Sequence, residues 1–205
     1  GGPVFNDSGE VSVGGQADLY ELAYARYRDP RYAPLLAASN RSGRRALYVG
    51  VPQLAEQADL PPRTSFTAEA SGYAILQRGR DRDATWACLK YGPHGGGHGH
   101  PDKLNLVLYA RGRVVLPDVG TKAYSSPLHG GWDKTTLAHN TLVIDQASQA
   151  AAQGSCLAFG TAGEADYAIA AAGKVYDDVR FTRTVALLTP ELIVVVDQVR
   201  DDVPR

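Results

Sequence analysis

The chain has 205 residues, of which 44% are hydrophobic and 21% are charged, proportions that are ordinary for a globular domain. Its 21 basic residues nearly balance its 22 acidic residues, giving a formal net charge of -1. Nucleic-acid binding needs a clustered basic surface, and such a balance gives no sign of one. No apolar run approaches the roughly 18 residues that span a membrane. We therefore expect a domain that binds neither nucleic acid nor membrane.

The chain contains no methionine, including at position 1, so we expect it to be a piece of a longer protein. Two cysteines, Cys88 and Cys156, are too few for a disulfide framework. Both lie in strand-like apolar stretches, and we expect buried free thiols, with a single bridge left open. The cysteines therefore do not indicate whether the protein resides in a reducing or an oxidising compartment.

The first part of the chain is predicted to be helical. Residues 18–28 carry apolar side chains near helical spacing, and Asp29-Pro30 ends this helix and begins a second, shorter one. The apolar positions of the first helix are Leu19, Leu22, Ala23 and Tyr27. An irregular, proline-containing connection is predicted to follow.

From about Gly72 the pattern changes to short runs rich in β-branched and aromatic residues, separated by turn residues. The predicted strands are 73–77, 85–91, 104–109, 114–116, 141–144, 165–170, 181–188 and 192–196. Arg111-Gly112 and Thr189-Pro190-Glu191 are predicted to form hairpin turns. Many short strands at this spacing favour an antiparallel β-sandwich over a parallel sheet.

All the histidines fall within a segment of 46 residues, at His94, His98, His100, His129 and His139. Three of them belong to a glycine-rich stretch, His94-Gly-Gly-Gly-His98-Gly-His100, between two predicted strands. Glycines permit backbone conformations that other residues avoid and allow a ligand to approach the main chain. On an extended segment His98 and His100 share a face, so one can ligate a metal while the other contacts substrate.

Two further residues complete a set of metal ligands. Asp118 follows a predicted strand, and His139 precedes one. Two imidazoles and a carboxylate are typical of zinc sites. A phosphate-binding loop is excluded because no Gly-Lys-Ser/Thr opens a helix, and the chain has no Gly-x-Ser-x-Gly elbow of a serine hydrolase.

Three stretches carry a family resemblance: residues 91–105, Leu-Pro-Asp118-Val-Gly, and Trp132-Asp-Lys-Thr-Thr-Leu-Ala-His139-Asn140-Thr. They resemble the heparinase II/III-like polysaccharide lyases, and among these the alginate and oligoalginate lyases most. The resemblance implies a mainly β fold, an antiparallel β-sandwich of the heparinase II/III type over residues 66–205, truncated at its C-terminus. It also implies that residues 1–65 are a short α-helical remnant of an (α/α) toroid, with a linker.

The implied reaction is β-elimination at a uronic acid. A base removes the C5 proton, the developing carboxylate charge is neutralised, and the C4 oxygen leaves with a proton from an acid. The resemblance assigns catalytic roles to His98 and, by position in its loop, to Tyr124, whose pKa would need to be lowered for a base. The predicted substrate-binding residues are His94, Lys122 and His129. The predicted ligands of a structural Zn²⁺ are His100, Asp118 and His139.

Several alternatives remain open. The family's helical toroid supplies an Asn-His pair and a tyrosine that are missing here, so the fragment alone is expected to be inactive. The expected partner is an acidic polysaccharide or oligosaccharide, alginate being favoured over heparin or heparan sulfate. The rivals are a non-catalytic, zinc-stabilised carbohydrate-binding domain and a zinc hydrolase with Asp102 as base. A homodimer is left open, and a periplasmic or secreted location is favoured over a cytoplasmic one.

Overall fold

A computed structural model of the chain describes residues 4–9, 13–55, 63–80, 83–161 and 163–201. The chain forms two compact units. The first contains Gly1–Gly2 and Glu10–Arg63, and the second contains Pro3–Gly9 and Thr64–Arg205. Within the described ranges, no helix is both long enough and apolar enough to cross a bilayer.

The first unit is helical and comprises α1 (Ala17–Tyr27), α2 (Ala33–Ala37) and α3 (Arg44–Val49). The Asp29 carboxylate accepts the Arg31 backbone N–H and so begins the turn that leads into α2. A small core forms around Tyr24, Ala33 and Leu36. The first two helices match the prediction, whereas α3 lies where an irregular connection was expected.

The buried face of α1 differs from the predicted one. Glu21 and Tyr24 are buried, while Leu19 and Leu22 are 56% and 44% exposed. Two polar contacts account for this choice of face: the Arg41 guanidinium pairs with the Glu21 carboxylate, and the Tyr24 hydroxyl accepts a backbone N–H. A charged residue can be buried when it is paired in this way.

The second unit consists of two antiparallel sheets. The first sheet contains β1 (Phe66–Ala68), β2 (Tyr73–Arg78), β3 (Thr85–Lys90), β4 (Asn105–Ala110) and β5 (Arg113–Leu116). The second contains β6 (Ser155–Gly160), β7 (Asp166–Ala171), β8 (Val179–Thr189) and β9 (Leu192–Asp201). In both sheets each strand pairs with the next one along the chain.

The two predicted hairpins are confirmed, and one predicted strand is wrong. Arg111 and Gly112 take positive φ angles of 51° and 76° in the turn between β4 and β5, which is the geometry that hairpin turns favour. The predicted strand at 141–144 contributes only an isolated bridge from Ile144 to Ala147. The two residues between them also have positive φ angles, so the chain turns back before a ladder can form.

The core lies between the two sheets. Leu76 and Leu89 of the first sheet pack in one cluster with Phe181 and Val185 of the second, and all four are buried. This packing confirms the predicted antiparallel β-sandwich. Both cysteines are free thiols.

The opposite face of the first sheet carries a second, smaller cluster. Phe5 packs there against Cys88 and Val107, and its ring lies 5.2 Å from that of Tyr73. Residues 4–9 therefore lie on the outer face of the first sheet. This position brings their polar side chains to the loop that follows β3.

Candidate functional site

The glycine-rich loop between β3 and β4 exposes His98 to solvent and buries His100. Gly95 and Gly96 have φ angles of 91° and 63°, and a Cβ on Gly99 would lie 1.8 Å from the His94 carbonyl oxygen. Only glycine tolerates such geometry. The loop turns at Gly96–His98, so that the His98 side chain is 76% exposed while that of His100 is fully buried.

A carboxylate from the N-terminal segment joins these two histidines. Asp7 Oδ2 lies 3.0 Å from His98 Nδ1, and Asp7 Oδ1 lies 3.0 Å from His100 Nε2. The Lys134 ammonium is 3.8 Å away, and the Tyr124 hydroxyl also bonds to this carboxylate. Burial opposes ionisation of Asp7, but the bonds from His100, His98 and Tyr124 outweigh it and hold its pKa well below the usual range.

The buried part of the site contains the three predicted metal ligands. His139 Nδ1 lies 2.7 Å from Asp118 Oδ2, and the His139 Nε2–H donates to the Asp133 carbonyl at 3.0 Å. The His100 and His139 rings are 5.2 Å apart. Burial raises the pKa of Asp118, but the bond to His139 and that from the Gly120 N–H lower it below its usual value.

Two observations indicate that these donors fit a metal ion. His100 Nδ1 is buried and has no hydrogen-bond partner among the described residues, which leaves a polar atom that a cation would satisfy. His139 Nδ1 and Asp118 Oδ2 are only 2.7 Å apart, so one cation could be bound by both atoms in place of the proton between them. Neutral imidazole and carboxylate are both ligands of divalent metals.

One close group of donor atoms contains a residue that sequence reasoning had set aside. Asp102, Asp118 and His139 each place a ligand atom within 4.8 Å of the other two. Both Asp102 oxygens are, however, occupied by the Lys90 ammonium, at 2.5 and 2.7 Å. His100 lies beside this group rather than within it. The structure therefore brings together three residues that could hold a metal ion, with His100 as a neighbouring donor.

The predicted residues of the loop after Asp118 divide into two sets. Tyr124 and His129 lie together, with ring centroids 4.8 Å apart, and the Tyr124 hydroxyl is 3.1 Å from His98 Nδ1. Burial and the bond to Asp7 raise the pKa of Tyr124, the opposite of what a tyrosine base requires. Lys122 is exposed and donates its backbone N–H to Asp133.

His94 stands apart from the residues around Asp7. It lies at the start of the glycine-rich loop, where its ring packs beside Gly99. Burial, with the charges of Lys103 and Lys90, lowers its pKa. No described hydrogen bond connects the His94 side chain with the rest of the site.

Sequence reasoning missed two contributors. Asp7 lies 91 residues before His98, and its segment was noticed only for its resemblance to the end of a toroid. Lys134 was read as part of a motif without a role, yet its ammonium donates to the Gly97 carbonyl at 2.6 Å and so stabilises the loop that carries His98. Neither side chain belongs to a spacing pattern that would reveal it.

Known proteins provide two kinds of similarity. The chain is 32% identical over 194 residues to an alginate lyase of Stenotrophomonas maltophilia, covering 82% of this chain and 26% of that protein. It is 31% identical over 94 residues to a heparin-sulfate lyase of Pedobacter heparinus, covering 44% of this chain and 14% of the relative. The chain thus spans about a quarter or less of these relatives.

Among solved structures, the heparan sulfate lyase HepC of Pedobacter heparinus matches 97% of this chain and 29% of its own, with a TM-score of 0.78 and 20% identity. This match supports the fold. The sequence model of the domain described as "Heparinase II/III-like, C-terminal" matches residues 60–205. The chain therefore belongs to the heparinase II/III-like family.

Proposed function

We propose that this chain forms the β-sandwich half of the active site of a polysaccharide lyase, which cleaves a uronate-containing substrate by β-elimination. The observation that carries the proposal is the exposed His98, which lies beside the Tyr124 hydroxyl and is connected through Asp7 to the buried His100. The named activities of the relatives, alginate lyase and heparin-sulfate lyase, agree with such a reaction.

In the proposed reaction, His98 and Tyr124 contact the substrate in different roles. The C5 proton leaves to a base, a C4–C5 double bond forms, and the C4–O bond breaks as the leaving oxygen takes a proton. His98 Nδ1 is engaged by Asp7, which leaves Nε2 to contact the uronate carboxylate or to transfer a proton. Tyr124, with its raised pKa, would act as a hydrogen-bond donor rather than as a base.

A zinc ion is proposed to hold the buried part of the site together. His100, Asp118 and His139 would be its ligands, and the ion would supply a fixed positive charge beneath the substrate-binding loop. Asp102 is the competing donor. We favour His100 because Lys90 already neutralises Asp102, whereas His100 Nδ1 has no described partner.

Alginate is the favoured substrate class. The alignment to the alginate lyase covers nearly twice as much of this chain as the alignment to the heparin-sulfate lyase. Sulfated chains also call for several Arg or Lys side chains, and near His98 the structure places Lys134, while Lys122 is exposed on the adjoining loop.

The test is an assay of the full-length parent on alginate oligosaccharides and on heparan sulfate. β-Elimination creates a conjugated unsaturated uronate, so product formation is followed by its ultraviolet absorbance. We expect an increase with alginate and little with heparan sulfate. Hydrolysis without the unsaturated product would exclude the lyase proposal, and the reverse preference would exclude only the alginate assignment.

A further inference from the structure

One carboxylate connects the buried and exposed histidines of the site. Asp7 has a side chain that is only 4% exposed, and each of its oxygens lies 3.0 Å from a nitrogen of a different ring. We infer that Asp7 is a positioning residue that fixes the tautomer and orientation of both His98 and His100. This inference deepens the proposed function, and its catalytic part rests on that function.

The contact with His100 determines which nitrogen is free for a metal. An ionised carboxylate can only accept hydrogen bonds, so His100 donates its Nε2–H to Asp7 Oδ1. The lone pair of the neutral ring is then at Nδ1, the atom that is buried without a described partner. Metal-binding histidines commonly donate their second nitrogen to a carboxylate, which orients the ring and increases its basicity.

The contact with His98 involves the other ring nitrogen. Here Nδ1 faces Asp7 Oδ2, so His98 donates from Nδ1, and Nε2 remains for the substrate. Asp7 thus holds two rings in different tautomers, one with its proton on Nε2 and the other with its proton on Nδ1. A carboxylate can do this because both of its oxygens are acceptors.

The segment that carries Asp7 is itself fixed in place. The Asp7 N–H donates to the His98 carbonyl at 3.3 Å, and Asn6 Oδ1 accepts both the Lys90 ammonium and the His100 N–H. Phe5 anchors the segment in the apolar cluster on the outer face of the first sheet. The position of Asp7 is therefore determined by the packing of Phe5 and by the hydrogen bonds of Asn6 and of the Asp7 backbone.

The experiment compares Asp7→Asn and Asp7→Ala with the unchanged chain, and uses Asp83→Asn, at an exposed position, as the matched control. Nitrogen-15 NMR of the metal-free chain reports which imidazole nitrogen carries the proton. The Asn side chain has an oxygen that accepts hydrogen bonds and a nitrogen that only donates them. The ring that faces the amide nitrogen must therefore accept, so in Asp7→Asn one of the two rings, and only one, should change tautomer. Unchanged spectra for both rings would overturn the inference.

Zinc affinity, measured by competition with a chelator, gives a second readout that needs no enzymatic activity. Asp7→Ala should weaken Zn²⁺ binding about 10–100-fold, while Asp83→Asn should bind as the unchanged chain does. Asp7→Asn should retain affinity when its amide oxygen faces His100. Unaltered affinity in Asp7→Ala would refute the role toward His100, and circular dichroism identifies any variant that fails to fold.

Activity of the parent then separates this inference from the proposed function. If the parent is a lyase, Asp7→Asn with its zinc retained should lower kcat more than it raises KM, because His98 is present but in the wrong tautomer. If the parent shows no lyase activity while the NMR and zinc results hold, the positioning role stands and the proposed function fails. Full kcat in zinc-loaded Asp7→Asn would refute the role toward His98.

Discussion

Individual residues of the site have separable roles, and His98 and His100 make this most evident. They are two positions apart, yet one side chain is mostly exposed and the other is fully buried. The backbone turn at Gly96–His98 causes the difference, since an extended strand would have placed both rings on one face. Substitutions at the two positions should therefore affect different properties.

We predict that His98→Ala in the parent keeps its zinc and loses about 10²–10⁴-fold in kcat, the range typical of a lost proton-transfer group. His100→Ala should lose the zinc because it removes a buried donor. Elemental analysis of both variants, beside the kinetic assay, checks the assignment. Zinc retained in His100→Ala but lost in Asp102→Asn would transfer the ligand role to Asp102.

Lys103 is a second residue with an unusual environment. It is 1% exposed, and its ammonium reaches the Pro93 carbonyl only at 3.4 Å. Burial, together with the charge of Lys90, lowers its pKa to about 8. The charged form is thus disfavoured in the folded chain relative to the unfolded one.

The pH dependence follows from the sign of this shift. Below about pH 8 both folded and unfolded chains carry the proton, so the full penalty of the buried charge is present. Between about pH 8 and 10.5 the unfolded chain binds more protons, and stability rises with pH. Lys103→Met should therefore be more stable than the unchanged chain at pH 7, with an advantage that shrinks toward pH 10.

Urea unfolding of both chains at several pH values, with a chelator present to exclude metal binding, measures this difference. Lys174→Met, at an exposed position, is the control and should show no such trend. An advantage of Lys103→Met that does not change between pH 7 and 10 would contradict the assigned cause.

At the scale of elements, hairpins were predictable because their turns are local. Arg111-Gly112 carries the signal for its turn in two adjacent residues, and the structure uses both in positive φ. The segment 141–144 was not predictable, because its apolar residues resemble a strand while several of its hydrogen bonds go to side chains instead of to a partner strand. Gln149, for example, donates to the Leu142 carbonyl, a contact that no periodicity in the sequence indicates.

Arg183 on β8 connects several elements near the site. Its guanidinium pairs with the Asp197 carboxylate of β9 through two bonds of 2.7 Å. It also donates to the carbonyl oxygens of Leu104 and Asn140, and Asn140 directly follows His139 in the chain. One buried side chain thus joins the second sheet to the loops that carry the site.

We predict that Arg183→Met destabilises the β-sandwich unit by about 1–3 kcal/mol, because it leaves the carbonyl oxygens of Leu104 and Asn140 without their donor. Arg113→Met, on the exposed edge strand β5, should change stability by less than about 0.5 kcal/mol. Chemical denaturation followed by tryptophan fluorescence measures both. Equal effects of the two substitutions would show that the Arg183 contacts contribute little.

At the scale of the whole molecule, the two faces of the first sheet in the β-sandwich unit have different roles. The two sheets bury their shared core on one face of the first sheet, and the opposite face carries Phe5, Cys88 and the polar site. The sandwich was predictable from strand count and alternation. The contribution of residues 4–9 was not, because only the folded chain brings Asp7 beside residues some 90 positions away.

The reactivity of the Cys88 thiol reports how well residues 4–9 and the sheet protect that outer face from solvent. It lies in the centre of the first sheet and is 1% exposed, and burial raises its pKa to about 12. At pH 9 an unfolded thiol would be about three quarters ionised, whereas the folded one stays protonated and inaccessible. Because the thiolate is the reactive form, alkylation of Cys88 should require opening of the sheet.

We therefore predict that Cys88 resists iodoacetamide at pH 9 in the folded chain and reacts readily in urea. Cys156, which is only partly buried, should react first, and peptide mass spectrometry distinguishes the two. Substituting Phe5 with alanine removes the apolar anchor of the N-terminal segment and should accelerate Cys88 labelling more than Cys156 labelling. Rapid labelling of Cys88 in the unchanged, folded chain would show that residues 4–9 do not cover this face, and Asp7 would then lack the support that its positioning role requires.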